Sequence, residues 1–242
     1  CGLGTSDCAP SAGATSVTEG VGLTQFQIHV ANQFFRLAAS SGYAIAGGAG
    51  LIASSLISRP TQDLDLFTYA PTRSVMKARG QFLDAARESG WITTVLVDSD
   101  TFCRIHVIGP DDEVLVDLAI DSPPTAPPTM TVLGPTLTSL DLAGRKLLAL
   151  LGRAEARDFA DVFVLAQTFG KEVLVEQATL MDPGFNRKVL AEMVATLARF
   201  DDDAIPLTPS LVTESRDFYR DWGLELDSSG DPPGGCSTAF QD

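Results

Sequence analysis

The sequence predicts an α+β protein: a small mixed sheet with flanking helices, followed by a helical C-terminal lobe. Three observations lead there. Between residues 23 and 121, short runs with strand-like alternation are interleaved with runs of helical period. The stretch SPPTAPPTM at 122–130 carries too much proline for either regular element and marks a linker. From 131 to 226 the apolar residues recur at helical spacing.

Residues 1–22, rich in Gly, Ser, Ala and Thr, read as a flexible leader. Over 24–39, Phe26, Val30, Phe34 and Leu37 fall three to four apart and predict a surface helix, which Ser41-Gly42 stops. Residues 43–46 read as a short buried strand running into Gly47-Gly48. A helix over 49–56 follows and ends at Arg59-Pro60, because the residue before a proline is pushed out of the helical region. A second strand is expected at 64–69, a helix over 73–89 with Val75, Ala78, Phe82 and Ala86 inward, and a third strand at 91–97.

Residues 101–108 alternate, with Cys103, Ile105 and Val107 on one side and Phe102, Arg104 and His106 on the other. A turn at 109–112 joins them to a strand over 113–120, which predicts an antiparallel hairpin. Beyond the linker, helices are expected over 139–151, 154–169, 171–180, 186–199 and 211–222, and 227–242 reads as a flexible tail.

A chain of 242 residues, 45% hydrophobic, is long enough for a sizeable core, which excludes disordered, collagenous and coiled-coil classes. Its 17 Lys plus Arg stand against 31 Asp plus Glu, a net charge of -14, so no general polyanion-binding field exists and any nucleic-acid contact must be local. No apolar stretch is long enough to cross a bilayer, and the first twenty residues hold no Lys, Arg or long apolar region, so a cytoplasmic protein without a membrane partner is expected. Cys1, Cys8, Cys103 and Cys236 match neither a zinc pattern nor a CxxC pair and are expected to be unpaired, a link among the terminal Cys1, Cys8 and Cys236 being the alternative. Two histidines, His29 and His106, exclude a histidine-based metal centre.

The sharpest chemical feature is Asp63-Leu64-Asp65 within RPTQDLDLF. In a strand, side chains two apart share a face, so Asp63 and Asp65 are neighbours while Leu64 and Leu66 face the core. Two adjacent carboxylates repel unless a cation or proton lies between them, which points to a divalent ion; an acidic turn is the bland alternative. Asp117 stands in the middle of the apolar EVLVDLAI, where a carboxylate needs a partner or must line a site; an edge-strand face turned to solvent is the alternative. Gly47-Gly48 entering a helix exposes backbone amides suited to a phosphate, or serves only as a turn.

A fourth cluster lies in RKLLALLGRAEARDFADVFVLA. Arg145, Lys146, Arg153 and Arg157 fall within thirteen positions of an acidic chain, a local sink for phosphate or else a solvated helix face. On one continuous helix, Lys146, Arg153 and Arg157 share a face; alternatively Gly152 divides the segment and a loop carries the two arginines.

In this order the motifs resemble the nucleotidyltransferase superfamily and, more narrowly, the AbiEii family of nucleotidyltransferase toxins from abortive-infection and toxin-antitoxin systems. The first signature falls on Gly47, Gly48, Arg59, Thr61, Asp63, Leu64, Asp65 and Leu66, the second on Lys146, Ala149, Arg153, Arg157, Asp158 and Asp161. The resemblance implies an NTP substrate, Mg2+ with Mn2+ as an alternative, an RNA acceptor such as tRNA, and a cognate antitoxin. Under it, Asp63, Asp65 and Asp117 are the expected metal ligands, and Asp117 also favours deprotonation of the attacking hydroxyl. Gly47, Gly48 and Thr61 are expected to cradle the terminal phosphates, and Lys146, with Arg153 or Arg157, to neutralise them. Asp158 is expected to orient Lys146 or an arginine, and Asp161 to be a structural partner of an arginine. A small-molecule acceptor and a silent NTP-binding or protein-interaction module are the competing readings.

Overall fold

The computed structural model describes residues 22–69 and 74–228. The expected leader at 1–22 and tail at 227–242 lie outside the described residues except for Gly22, Asp227 and Ser228, and so do Cys1, Cys8 and Cys236. Helix α1 (Gln25–Phe35) is opened by a capping box, in which the Gln27 amide donates to Thr24 Oγ1 at 3.1 Å and the Thr24 amide to Gln27 Oε1 at 2.9 Å. Next come a 3-10 turn (Ala38–Ser40), β1 (Tyr43–Ile45), α2 (Gly47–Ala53), β2 (Asp63–Thr68), α3 (Val75–Glu88), and three longer strands, β3 (Ile92–Asp98), β4 (Phe102–Ile108) and β5 (Glu113–Ile120). Two short strands, β6 (Thr129–Thr131) and β7 (Gly134–Thr136), lead to the helices α4 (Ser139–Arg153), α5 (Ala156–Phe169), α6 (Lys171–Met181), α7 (Arg187–Ala195) and α8 (Pro209–Ser228). The architecture is the expected one, a mixed sheet with helices followed by a helical lobe.

Among the described residues the sheet runs in the order β3-β4-β5-β2-β1-β7-β6. The β4–β5 hairpin is antiparallel, as the alternation predicts, whereas β2 lies parallel to β5 and β7 parallel to β1. Strands β6 and β7 are absent from the sequence reading. Three residues each, with Gly134 and Pro135 inside β7 and no alternation to detect, they are held by pairing, β7 with β1 through Ile45 and Thr136 and β6 with β7, rather than by propensity.

One face of the sheet is dry. Ile45, Leu64, Leu66, Cys103, Ile105, Val107, Val116 and Leu118 pack beneath Val30 and Phe34 of α1 and Val75, Ala78 and Phe82 of α3. Burial pushes the Cys103 thiol up to about 11, so this unpaired cysteine behaves as a small apolar side chain. The opposite face carries Asp63, Asp65, Arg104 and Asp117 and is roofed by the helical lobe, whose own core gathers around Leu147, Leu150, Phe159, Leu165, Tyr219 and Trp222. Strand periodicity thus separates a packing face from a chemical face on the same strands.

The proline-rich segment is fastened to the start of α4. Buried Asp141 accepts from the Thr125 amide at 2.8 Å, from Thr125 Oγ1 at 2.9 Å and from Thr138 Oγ1 at 2.8 Å, while Arg145 Nη2 donates to the Ser122 carbonyl at 2.7 Å. Replacing Asp141 with Ala removes the acceptor for three donors and should cost about 1–3 kcal/mol in urea unfolding, with faster proteolysis between residues 122 and 128. Unchanged stability and an unchanged cleavage rate would show that the segment is held by other contacts.

Candidate active site

The parallel register of β2 and β5 sets the site. Asp65 lies directly opposite Asp117, and the antiparallel register of β4 and β5 sets Arg104 opposite Asp117 on the other side. Asp65, Asp117 and Arg104 therefore form a row across three strands, with Asp63 two residues from Asp65 on the same face. The acids expected to converge do share one cavity of about 520 Å³, lined also by Gly47, Gly48, Arg59, Thr61, Arg145, Lys146, Arg153 and Arg157.

Gly47 closes the end of this row. It starts α2 with φ at +57°, and a Cβ there would overlap the Asp65 carboxylate. Glycine is thus required both by the left-handed backbone and by the approach of the acid. The Ala46 amide donates to the Asp65 carbonyl at 2.8 Å, fixing this turn to β2. A Cβ on Gly48 would lie 3.0 Å from Thr61 Oγ1, so the turn and the loop before β2 are in close contact. Gln27, buried on α1, holds that loop by donating from Nε2 to the Thr61 carbonyl at 2.6 Å.

The roof is a cation-rich network. The α4 helix ends not at Gly152 but at Ala154, whose φ of 48° puts it in the left-handed region, and α5 begins two residues later. Arg153 is consequently the last residue of α4 and Arg157 lies in the first turn of α5, so they reach the cavity from two helices rather than from one continuous face. Asp158 accepts from Arg153 Nε at 2.8 Å and Nη2 at 2.9 Å, and from Lys146 Nζ at 3.3 Å. Asp161 accepts from Arg59 Nε at 2.7 Å and Nη2 at 2.5 Å, with Lys146 Nζ 3.1 Å away. Three cations facing two anions leave one net positive charge above the acids.

This network alters the expected role of Lys146. Its side chain is only 6% exposed and is shared between two carboxylates, so part of its charge is spent inside the protein. Arg157 is the more available cation: 40% exposed, it pairs with Glu155 at 2.8 Å and reaches Asp63 Oδ2 at 3.4 Å. Asp161 pairs with Arg59 across the two lobes and not, as sequence spacing suggests, with Arg157 one turn earlier on its own helix. Asp158 stands between Lys146 and Arg153. Burial opposes ionisation of Asp158, but the bonds from Arg153 and the nearby Lys146 outweigh it and hold its carboxyl below the usual range.

The floor behaves in the opposite way. Burial pushes the Asp65 carboxyl up to about 6, with Asp117 and Asp63 adding to the rise and Lys146 and Arg153 opposing it. That is the electrostatic signature of a carboxyl buried beside like charges. Among the described residues, however, no three acid, histidine or cysteine side chains are disposed as a ready metal cage. At Asp117, Arg104 Nε donates to Oδ1 at 2.8 Å and Nη2 to Oδ2 at 2.6 Å, engaging both oxygens. The expected triad of Asp63, Asp65 and Asp117 therefore faces one cavity without being preformed. Arg104, which the alternation of β4 assigns to the polar face, is the site residue that sequence reasoning passed over.

The fold thus sets acids on adjacent strands beside a glycine turn, under a basic helical roof. The family model described as "Nucleotidyl transferase AbiEii toxin, Type IV TA system" matches residues 35–229, and the chain belongs to that family. Two solved structures from Helicobacter pylori share the fold. The first is the protein JHP933, with a TM-score of 0.51 and 15% identity, covering 86% of this chain and 96% of that one. The second is described as a "putative nucleotidyltransferase", with a TM-score of 0.51 and 14% identity, covering 87% of this chain and 100% of that one. No curated protein matches. Among the described residues no helix is long and apolar enough to cross a membrane.

Two outcomes follow from the charges. The folded protein holds the Asp65 proton more tightly than the unfolded chain, so the ionised carboxylate costs stability above pH 6, and this cost is relieved as the pH falls through 6 toward 3.8. In metal-free buffer at pH 7.5, Asp65→Asn should raise stability by about 1–3 kcal/mol, the gain shrinking as the pH approaches 4; a destabilised variant at pH 7.5 would contradict the crowding. Asp161→Ala leaves Arg59 unpaired and Lys146 with one acid, and should cost about 3–5 kcal/mol in denaturant unfolding. A loss below about 1 kcal/mol would mean that the bridge behaves as an exposed pair.

Proposed function

We propose that this protein transfers a nucleotidyl unit from an NTP to an acceptor hydroxyl in a Mg2+-dependent reaction, Mn2+ serving as an alternative ion, and that the acceptor is an RNA of the tRNA kind. One observation carries the reading: Asp65 and Asp117 lie side by side across β2 and β5, against a glycine turn whose first residue leaves no room for a Cβ beside Asp65, under a basic roof. Crowded acids call for a cation and the roof for an anion, and a metal-bound triphosphate is both at once.

The carboxylates suit the implied ion. Asp63 and Asp65 would hold it, and Asp117 would join them once its oxygens are free of Arg104. Bound there, the ion supplies positive charge against the α-phosphate and the departing pyrophosphate. The first-turn amides of Gly47 and Gly48 have no acceptor within the helix and meet the terminal phosphates, with the Thr61 hydroxyl beside them. Arg157 neutralises phosphate charge, Arg153 and Lys146 assisting from within their network. Asp158 keeps Lys146 and Arg153 aimed at the cavity, and Asp117 takes up the proton of the acceptor hydroxyl.

Six cationic side chains line the cavity, Arg59, Arg104, Arg145, Lys146, Arg153 and Arg157, which gives an otherwise acidic protein one local anchor for a phosphate backbone. The net charge of -14 favours the second reading, a small-molecule acceptor. Action as a toxin held in check by a cognate antitoxin in the cytoplasm extends the family description.

Purified protein incubated with each α-labelled NTP, Mg2+ and either total RNA or a small-molecule extract separates these readings. Label on RNA is expected; label confined to the small-molecule fraction would replace the acceptor. Asp63→Ala and Asp65→Ala should each lower transfer about a thousandfold, roughly 4 kcal/mol of transition-state stabilisation, with the fold retained by circular dichroism. Near-wild-type transfer from either variant overturns the mechanism.

A further inference from the structure

The geometry points to Arg104 as a resident counter-ion of the acid floor: its guanidinium holds Asp117 while the site is empty of nucleotide, and is exchanged for the divalent ion when the two arrive together, turning then to an anionic oxygen of the donor. This inference rests on the nucleotidyl-transfer reading and deepens it by coupling metal binding to nucleotide binding.

Four observations lead to it. The fork of Arg104 engages both oxygens of Asp117, at 2.8 and 2.6 Å, so that carboxylate has no oxygen to offer a metal while the pair stands. Both residues line the cavity, and with the Asp117 side chain 5% exposed and that of Arg104 39%, the guanidinium is the solvent-accessible member of the pair. Arg104 also stands in one row with Asp117 and Asp65 across three strands, so its positive charge faces the rest of the floor. Finally, Phe102 lies two positions away on the same face of β4, its ring centroid 5.9 Å from the guanidinium carbon, and offers a surface along which the side chain can turn without being stranded.

The energetic argument gives the exchange its direction. A guanidinium released into a half-enclosed cavity needs another anion. The carboxylates around the floor are already engaged, Asp121 by Arg145, Asp161 by Arg59 and Asp158 by Arg153, and Asp63 and Asp65 would themselves hold the ion. A metal ion alone would therefore displace Arg104 without giving it a new partner. A metal-bound triphosphate brings both the replacement cation for Asp117 and a fresh anion for Arg104. Ion and nucleotide must then raise each other's affinity, and part of that coupling must pass through Arg104.

The test is Mn2+ binding to the full chain at pH 8, read from the electron paramagnetic resonance signal of free Mn2+, with and without the α,β-methylene analogues of ATP, CTP, GTP and UTP tried separately. Wild type should bind Mn2+ weakly alone and much more tightly with the analogue it accepts. Arg104→Gln should bind Mn2+ alone at least about tenfold more tightly than wild type, because a like charge has been removed from the site. It should also bind the analogue more weakly and lose most of the mutual enhancement. If Arg104→Gln does not fold, Arg104→Lys, which keeps the charge but loses the fork, should fall between the two. A variant whose Mn2+ affinity equals or falls below that of wild type, while wild type still binds Mn2+ with nucleotide, overturns the exchange and leaves the transfer reading intact. A wild-type protein that takes up no Mn2+ with any analogue defeats the transfer reading and this inference with it.

Discussion

The constraint on which the site depends is the parallel pairing of β2 with β5. That pairing makes Asp65 and Asp117 direct neighbours across the sheet, whereas a slip of one residue would turn one of them into the apolar core beneath α1 and α3. The register is held by what lies on the other face. Leu64 and Leu66 of β2 and Val116 and Leu118 of β5 are buried, and they fix which side of each strand the acids must take. The hydrophobic face thus positions the charged one, and like charges are kept together by burial elsewhere.

Such a floor is stable only because opposite charge surrounds it. Arg104 neutralises Asp117 from the next strand, Arg157 approaches Asp63 from α5, and the network of Arg59, Lys146 and Arg153 with Asp158 and Asp161 contributes a net positive charge above. Asp158 and Asp161, buried on α5, act as anchors: each fixes the direction of a cation and ties it to the fold. The Arg59–Asp161 pair also joins the loop before β2 to α5, so the electrostatics of the cavity and the seating of the two lobes are the same set of contacts. Asp65 is the member that burial, and after it the like charges of Asp117 and Asp63, push up to about 6.

Much of the candidate site was legible beforehand because its logic is local. An acid two residues from another in a strand, an acid inside an apolar run and a glycine pair after a strand each follow from the period of the backbone and the cost of burying charge. Arg104 was not legible in the same way. Its position on the polar face of β4 could be read, but that it would meet Asp117 depends on the pairing of β4 with β5, and on both oxygens being taken. Lys146 was legible as a cation near phosphate, yet its burial between Asp158 and Asp161 could not be foreseen from a segment that left open where the helix breaks.

The sequence by itself determined the α+β class, the strands and helices of period long enough to show, and the identities of Gly47, Asp63, Asp65 and Asp117 as residues needing a special explanation. Patterns that repeat within a few residues are set by backbone geometry and by the separation of apolar from polar faces. Tertiary structure alone decided the two three-residue strands β6 and β7, the break at Ala154, and the partners of each charge. The decisive contacts join residues far apart in the chain, such as Ile45 with Thr136 and Arg59 with Asp161, and contacts made through space leave no period along the chain.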